Sequence, residues 1–150
     1  MELNNKLSDG KRLDTLALSD QEFSKQVSDG GGALTAYFSG GDLVQMYYQL
    51  LTFSGFVDMT YYHSNGQLLY LEKVERKLVG KYDDGDWVEW DFNATPDTAF
   101  VGRYYFDDRQ LIAIQKEGTP YFAEPFDLQH FLTTADTLSA LLLRKRKTNE

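Results

Sequence analysis

The chain has no cysteine, which removes thiol catalysis, cysteine-based zinc sites and any disulfide framework, yet leaves the protein at home in either redox compartment. Long apolar runs are also missing. The longest are short, such as the three leucines at 141 to 143, and the polar start MELNNKLSDGKR lacks the apolar core of a signal peptide. Only two histidines, His63 and His130, are available for acid-base chemistry near neutral pH. The compartment stays open: a native start at Met1 would make the protein cytoplasmic, and a removed signal peptide would make it periplasmic or secreted.

Positive charge is scarce outside one place. The net charge is −8, but Arg144, Lys145, Arg146 and Lys147 sit together, so residues 1 to 143 carry 11 basic against 22 acidic groups. A body of that sign repels phosphate backbones and disfavours nucleic acid, whose binding rests on Lys and Arg releasing counterions. A basic protein is the electrostatically matched partner. With 150 residues the chain forms one domain and buries about 70% of its unfolded surface without a metal or cofactor.

Residues 1 to 17 show no steady period and read as a flexible lead-in. Ser19 and Glu22 have capping-box spacing, and Leu18 and Phe23 form a hydrophobic staple, which predicts a short helix from Asp20 to Ser28, stopped by Gly30. Glycines 30 to 32 lack the helix and lysine of a phosphate loop and read as a linker. From Ala33 to Lys116 the chain is rich in Tyr, Phe, Val and Thr, the composition of strands. At the far end Leu128, Phe131, Leu132, Ala135, Leu138, Leu141 and Leu142 trace a helical stripe behind a cap at Asp127 and a staple of Phe126 with Phe131. A helix of residues 128 to 146 packed on the sheet follows, with a tail at 147 to 150.

Within the strand-rich region lies an internal repeat: YFSGGDLV (37 to 44), YHSNGQLL (62 to 69), KYDDGDWV (81 to 88) and YFDDRQLI (105 to 112). Two-residue turns then centre on Gly40-Gly41, Asn65-Gly66, Asp84-Gly85 and Asp108-Arg109, and the first three have the residues that type I′ or II′ turns demand. Arginine gains nothing from a positive φ, so the fourth is expected to be strained or opened by a bulge. Counting outward pairs Phe38 with Leu43, His63 with Leu68, Tyr82 with Trp87 and Phe106 with Leu111 on one face. Tyr37 with Val44, Tyr62 with Leu69 and Tyr105 with Ile112 fall on the other. Extending the second hairpin sets Asp58 opposite Lys73 and gives a core face of Val57, Met59, Tyr61, Leu68, Tyr70 and Val74. Return turns near Ser54-Gly55, near Glu75 to Lys77 and at NATPDT (93 to 98) complete about eight strands. The expected fold is α+β, a curled antiparallel β-meander with a short N-terminal and a longer C-terminal helix.

The segments YYHSNGQLL and GRYYFDDRQLI resemble hairpins of small bacterial domains, often exported and of unknown function, that carry a short first helix, a β-meander and a C-terminal helix. Their cadence is also similar to MORN-type repeats, with turns here 25, 19 and 24 residues apart. The resemblance implies the layout of residues 18 to 143 and carries over no catalytic residues.

His63 occupies the slot that Phe38 and Phe106 fill in sister repeats, which reads as packing, and His130 falls in the first turn of the helix. Neither has a partner at catalytic spacing, and the reading is non-enzymatic. The acidic stretch YDDGDWVEWDF (82 to 92) lacks the twelve-residue calcium loop, so no metal is assigned. Alternation sends Trp87 and Trp90 to opposite faces, so only one can be core while the other lies under a helix or is exposed. Asn93-Ala94-Thr95 is a chance glycosylation match. The candidate binding residues are Asp83, Asp84, Asp86, Trp87, Trp90, Asp107 and Asp108, an acidic and aromatic surface for an inhibitor or immunity-type partner of a basic protein. The alternative is a carrier whose curled sheet and C-terminal helix enclose an apolar ligand.

Overall fold

A computed structural model describes residues 13–19, 32–122 and 128–148. The predominantly antiparallel architecture and the C-terminal helix agree with expectation, and the strands divide between two sheets. Seven form the main sheet in the order β1-β2-β3-β4-β5-β8-β9, and β6 and β7 pair only with each other. The main sheet contains β1 (Asp14–Ser19), β2 (Gly32–Ser39), β3 (Asp42–Leu51), β4 (Gly55–Ser64), β5 (Gln67–Lys77), β8 (Asp97–Asp107) and β9 (Gln110–Gly118); the separate hairpin is β6 (Val79–Asp83) with β7 (Asp86–Asp91). Among the described residues one helix, α1 (Leu128–Thr148), follows the strands.

Two boundaries move. Residues 14 to 17, read as lead-in, belong to β1, where Leu16 and Leu18 face Ala36 and Leu34 of β2, a short alternation that the polar surroundings obscured. The helix α1 runs to Thr148 rather than 146. The expected helix over Asp20 to Ser28 lies outside the described residues, as do Asp127 and Phe126; its staple and cap residues Leu18 and Ser19 end β1.

All four turns hold two residues of positive φ: Gly40 and Gly41, Asn65 and Gly66, Asp84 and Gly85, and Asp108 (47°) with Arg109 (63°). This is the I′ pattern whose twist matches the flanking strands. The fourth turn therefore keeps its two-residue length and places an arginine in the left-handed region, where a Cβ is disfavoured.

The pairs beside the turns also form as expected: Phe38 with Leu43, His63 with Leu68, Tyr82 with Trp87 and Phe106 with Leu111. One step further the register shifts in every hairpin. Tyr37 faces Gln45, Tyr62 faces Tyr70, Lys81 faces Glu89 and Tyr105 faces Ala113, which leaves Val44, Leu69, Val88 and Ile112 as extra residues. The eighth position of the repeat is thus a β-bulge, not the partner of its first tyrosine.

The bulge corrects the rest of the register. Asp58 faces Val74, not Lys73. Val57, Met59, Tyr61 and Leu68 are buried as expected, but Leu71 is fully buried in place of Tyr70 and Val74. One inserted residue reverses the alternation of everything after it.

The inner face meets α1 in a single core. Leu34, Ala36, Phe38, Met46, Tyr61, Leu71, Tyr104 and Phe106 pack against Phe131, Leu132, Ala135, Leu138 and Leu142, the 3- and 4-residue spacing of one helical stripe. Tyr104 and Phe131 rings lie 5.4 Å apart. At the other end of the helix, Arg146 sits 4.5 Å over the Phe38 ring and bonds Asp14 of β1 at 3.1 Å, so one of the terminal basic residues fastens the helix to the sheet edge.

Candidate functional site: an acidic aromatic hairpin and a groove beneath the helix

The β6–β7 hairpin leaves the sheet between Lys77 and Asp97, which are paired neighbours on β5 and β8. Asp83, Asp84 and Asp86 surround its turn and are exposed. The bulge at Val88 overturns the expectation for the two tryptophans: with an extra residue between them, Trp87 and Trp90 share a side and meet edge to face at 5.4 Å. Phe53, from the turn before β4, adds its ring 6.1 Å from Trp90. Gly80 makes this stack possible, because a Cβ there would stand 2.9 Å from the Trp87 ring.

The resulting surface is aromatic and open. Phe53 and Phe92 are each 71% exposed and Trp87 48%, while Trp90 is half-buried. Tyr82 and Val88 are exposed as well. Of the nearby acids, Glu89 meets Lys81 at 3.3 Å and Asp91 accepts the Asn93 backbone N–H at 3.0 Å. Asp83, Asp84, Asp86, Trp87 and Trp90 therefore gather on one hairpin. Asp107, the last residue of β8, and Asp108, in the β8–β9 turn of the main sheet, by contrast, do not join it. Sequence reasoning missed Phe53 and Phe92; a phenylalanine set in each of two turn segments was the available signal.

The histidine expectation agrees with the structure where it is described. His63 is buried opposite Leu68, and burial pushes its pKa down to about 4, with Asp136 opposing in part. Ser139 Oγ lies 3.5 Å from His63 Nε2 but donates to the Ala135 carbonyl at 2.6 Å, and Asp136 is held by Arg109 through two contacts of 3.0 Å. These three side chains do not form a proton relay. The side chain of His130 lies outside the described residues. Among the described residues no three His, Asp or Glu side chains gather in metal-binding geometry, and no helix is long and apolar enough to cross a membrane.

A second feature opens between the inner face of β3–β5 and α1. It is a groove of about 600 Å³, with Tyr48, Val57, Met59 and Tyr61 on the sheet side and Phe131 and Leu138 on the helix side. Among the described residues, Lys73 is its one charged lining residue. That lysine lies 3.3 Å from Oε1 of the fully buried Glu75, whose Oε2 accepts the backbone N–H groups of Tyr121 at 2.7 Å and Phe122 at 3.4 Å. On the outer face the buried Asp58 accepts from Tyr47 (2.8 Å) and Gln49 (2.9 Å) and pairs with Arg76. Burial, then the bond to Asp58, pushes the Tyr47 hydroxyl up to about 12, so it remains a hydrogen-bond donor at neutral pH.

Compared with known proteins, the chain matches no family model, no curated relative and no solved structure.

Proposed function

We propose that the protein is a non-enzymatic binding domain that presents the β6–β7 hairpin to a basic protein, in the manner of an inhibitor or immunity-type partner. The observation that carries this reading is the exposed stack of Phe53, Trp90 and Trp87 standing beside the carboxylates Asp83, Asp84 and Asp86. Exposed contiguous aromatics are a feature of interaction surfaces. Tryptophan supplies a large rigid anchor and the acids supply steering toward a cationic surface, effective within a Debye length of about 10 Å at 0.1 M salt.

The hairpin is well suited to this task mechanically. Its ends are fixed by the paired strands β5 and β8, so a partner can close on the tip without rearranging the core. Asp107 and Asp108 contribute to the general acidity of the body and are not part of the proposed contact.

The test compares affinity capture by the wild type with capture by the triple variant Asp83→Asn, Asp84→Asn, Asp86→Asn and by Trp87→Ala. A basic protein retained by the wild type and confirmed with purified components should lose at least tenfold in affinity with Trp87→Ala, and its association with the triple variant should be slower and less sensitive to salt. Equal binding by all three proteins sinks the reading.

A further inference from the structure

We infer that the groove between the sheet and α1 binds a single-chain amphiphile with an anionic head, its chain along the apolar walls and its carboxylate on Lys73. The site is separate from the β6–β7 hairpin, and the inference does not rest on that hairpin's proposed role. Its volume of about 600 Å³ falls within the roughly 300–1,000 Å³ of pockets that enclose small ligands.

The choice of ligand follows from the walls. Val57, Met59, Phe131 and Leu138 offer apolar surface with no charge, which suits a hydrocarbon chain. Thr133, Thr134 and Thr137 line the helix side with a polar border, as an open groove that meets water requires. The strand pairing sets Lys73 beside Met59 and Gly102, on the face that α1 covers, and its side chain is only 14% exposed.

A lysine in such a place needs a reason. Glu75 accounts for part of its charge, but that carboxylate also accepts two backbone N–H groups on its other oxygen, and an ammonium has three N–H groups to place. A ligand carboxylate is the chemistry that answers the remaining donors. The sign is informative too: in a protein of net charge −8, the one charged side chain among the described residues that line this groove is a cation, which disfavours a cationic head and favours an anionic one.

The experiment titrates the full-length protein, freed of co-purified lipid on a hydrophobic resin, with dodecanoate, tetradecanoate and dodecyltrimethylammonium below their micellar concentrations by calorimetry. Dodecanoate should bind saturably at one site, tetradecanoate about tenfold more tightly for its two extra methylenes, and the cation at least tenfold more weakly than dodecanoate. Lys73→Met should weaken dodecanoate about tenfold. Because that change leaves Glu75 without its cation, the double variant Lys73→Met, Glu75→Gln is measured beside it and should show the same loss. Thr137→Trp, at the exposed border of the groove, should block both acids while thermal unfolding stays cooperative. The inference is overturned if dodecanoate fails to saturate, if the cation binds as well, or if either lysine variant or Thr137→Trp binds as the wild type does.

Discussion

The hairpins β2–β3, β4–β5 and β8–β9 and the hairpin β6–β7 carry one repeat with one turn and one bulge, yet they end in opposite surroundings. In the first three, the seventh position is buried or half-buried under α1, as Leu43, Leu68 and Leu111. In the fourth it is Trp87, nearly half exposed. The eight-residue pattern therefore specifies the turn and the kink but not the neighbour. Strand length alone does not decide which strands join the sheet, since β1 has 6 residues and belongs to it; β6 and β7, of 5 and 6 residues, pair only with each other. A short isolated hairpin is marginal by itself, and here Trp87, Trp90 and Phe53 support it from the side.

Deleting the bulged residue breaks the comparison most sharply. Removal of Leu69 puts Leu71 and the buried Glu75 on the outer face, and the protein should lose cooperative thermal unfolding altogether. Removal of Val88 performs the same operation on β7, where no core depends on it. The thermal midpoint should then fall by no more than about 4 °C, while tryptophan fluorescence changes as Trp87 and Trp90 separate. Equal damage from the two deletions would contradict the distinction.

His63 separates the hairpins in another way, since Phe38 and Phe106 occupy its slot in the sister copies. Its folded pKa near 4 lies below the ordinary 6.5, so the unfolded chain binds the proton first as pH falls. The contribution is fully present above pH 6.5 and is lost progressively between pH 6.5 and 4, amounting to about 3 kcal/mol. His63→Phe should flatten this part of the stability profile in denaturant titrations at pH 7 and pH 4.5. An unchanged slope would show that His63 is not the group responsible.

The smallest effect belongs to the Asp108-Arg109 turn. Arg109 adopts a left-handed backbone and reaches Asp136 of α1 with both terminal guanidinium nitrogens, an exposed pair that adds little stability. Arg109→Gly should raise the thermal midpoint more in an Asp136→Ala background than in the wild type, where relief of strain is offset by loss of the pair. A larger gain in the wild type would rule out a role for the pair in holding this turn.

Turns, adjacent pairs and the helical stripe were legible in the sequence because each depends on residues close together: Asn65-Gly66 dictates its turn without reference to the rest of the fold. The bulge was harder to see, since an aliphatic eighth position fits both an ordinary pair and an inserted residue. Its trace is the tenth position, where Met46, Leu71, Trp90 and Ile114 recur. Apolar residues three apart within a strand share a face only if one between them is extra. The same oversight places Trp87 and Trp90 on opposite faces and hides the ring contact between them. A space between sheet and helix was anticipated from apolar residues on both strand faces, but its lining residues, and the contact of Phe53 with Trp90, depend on elements distant in sequence.

The central claim, that β6–β7 is carried by the fold rather than required by it, is tested by replacing residues 78–96 with Asn-Gly. Lys77 and Asp97 already face one another, so β5 and β8 would join through a two-residue turn of the type the other hairpins use. The account predicts a protein that retains its β-sheet circular dichroism and unfolds cooperatively, with a modest drop in midpoint from the loss of buried Leu78. A chain that no longer unfolds cooperatively would contradict it and make the hairpin part of the core.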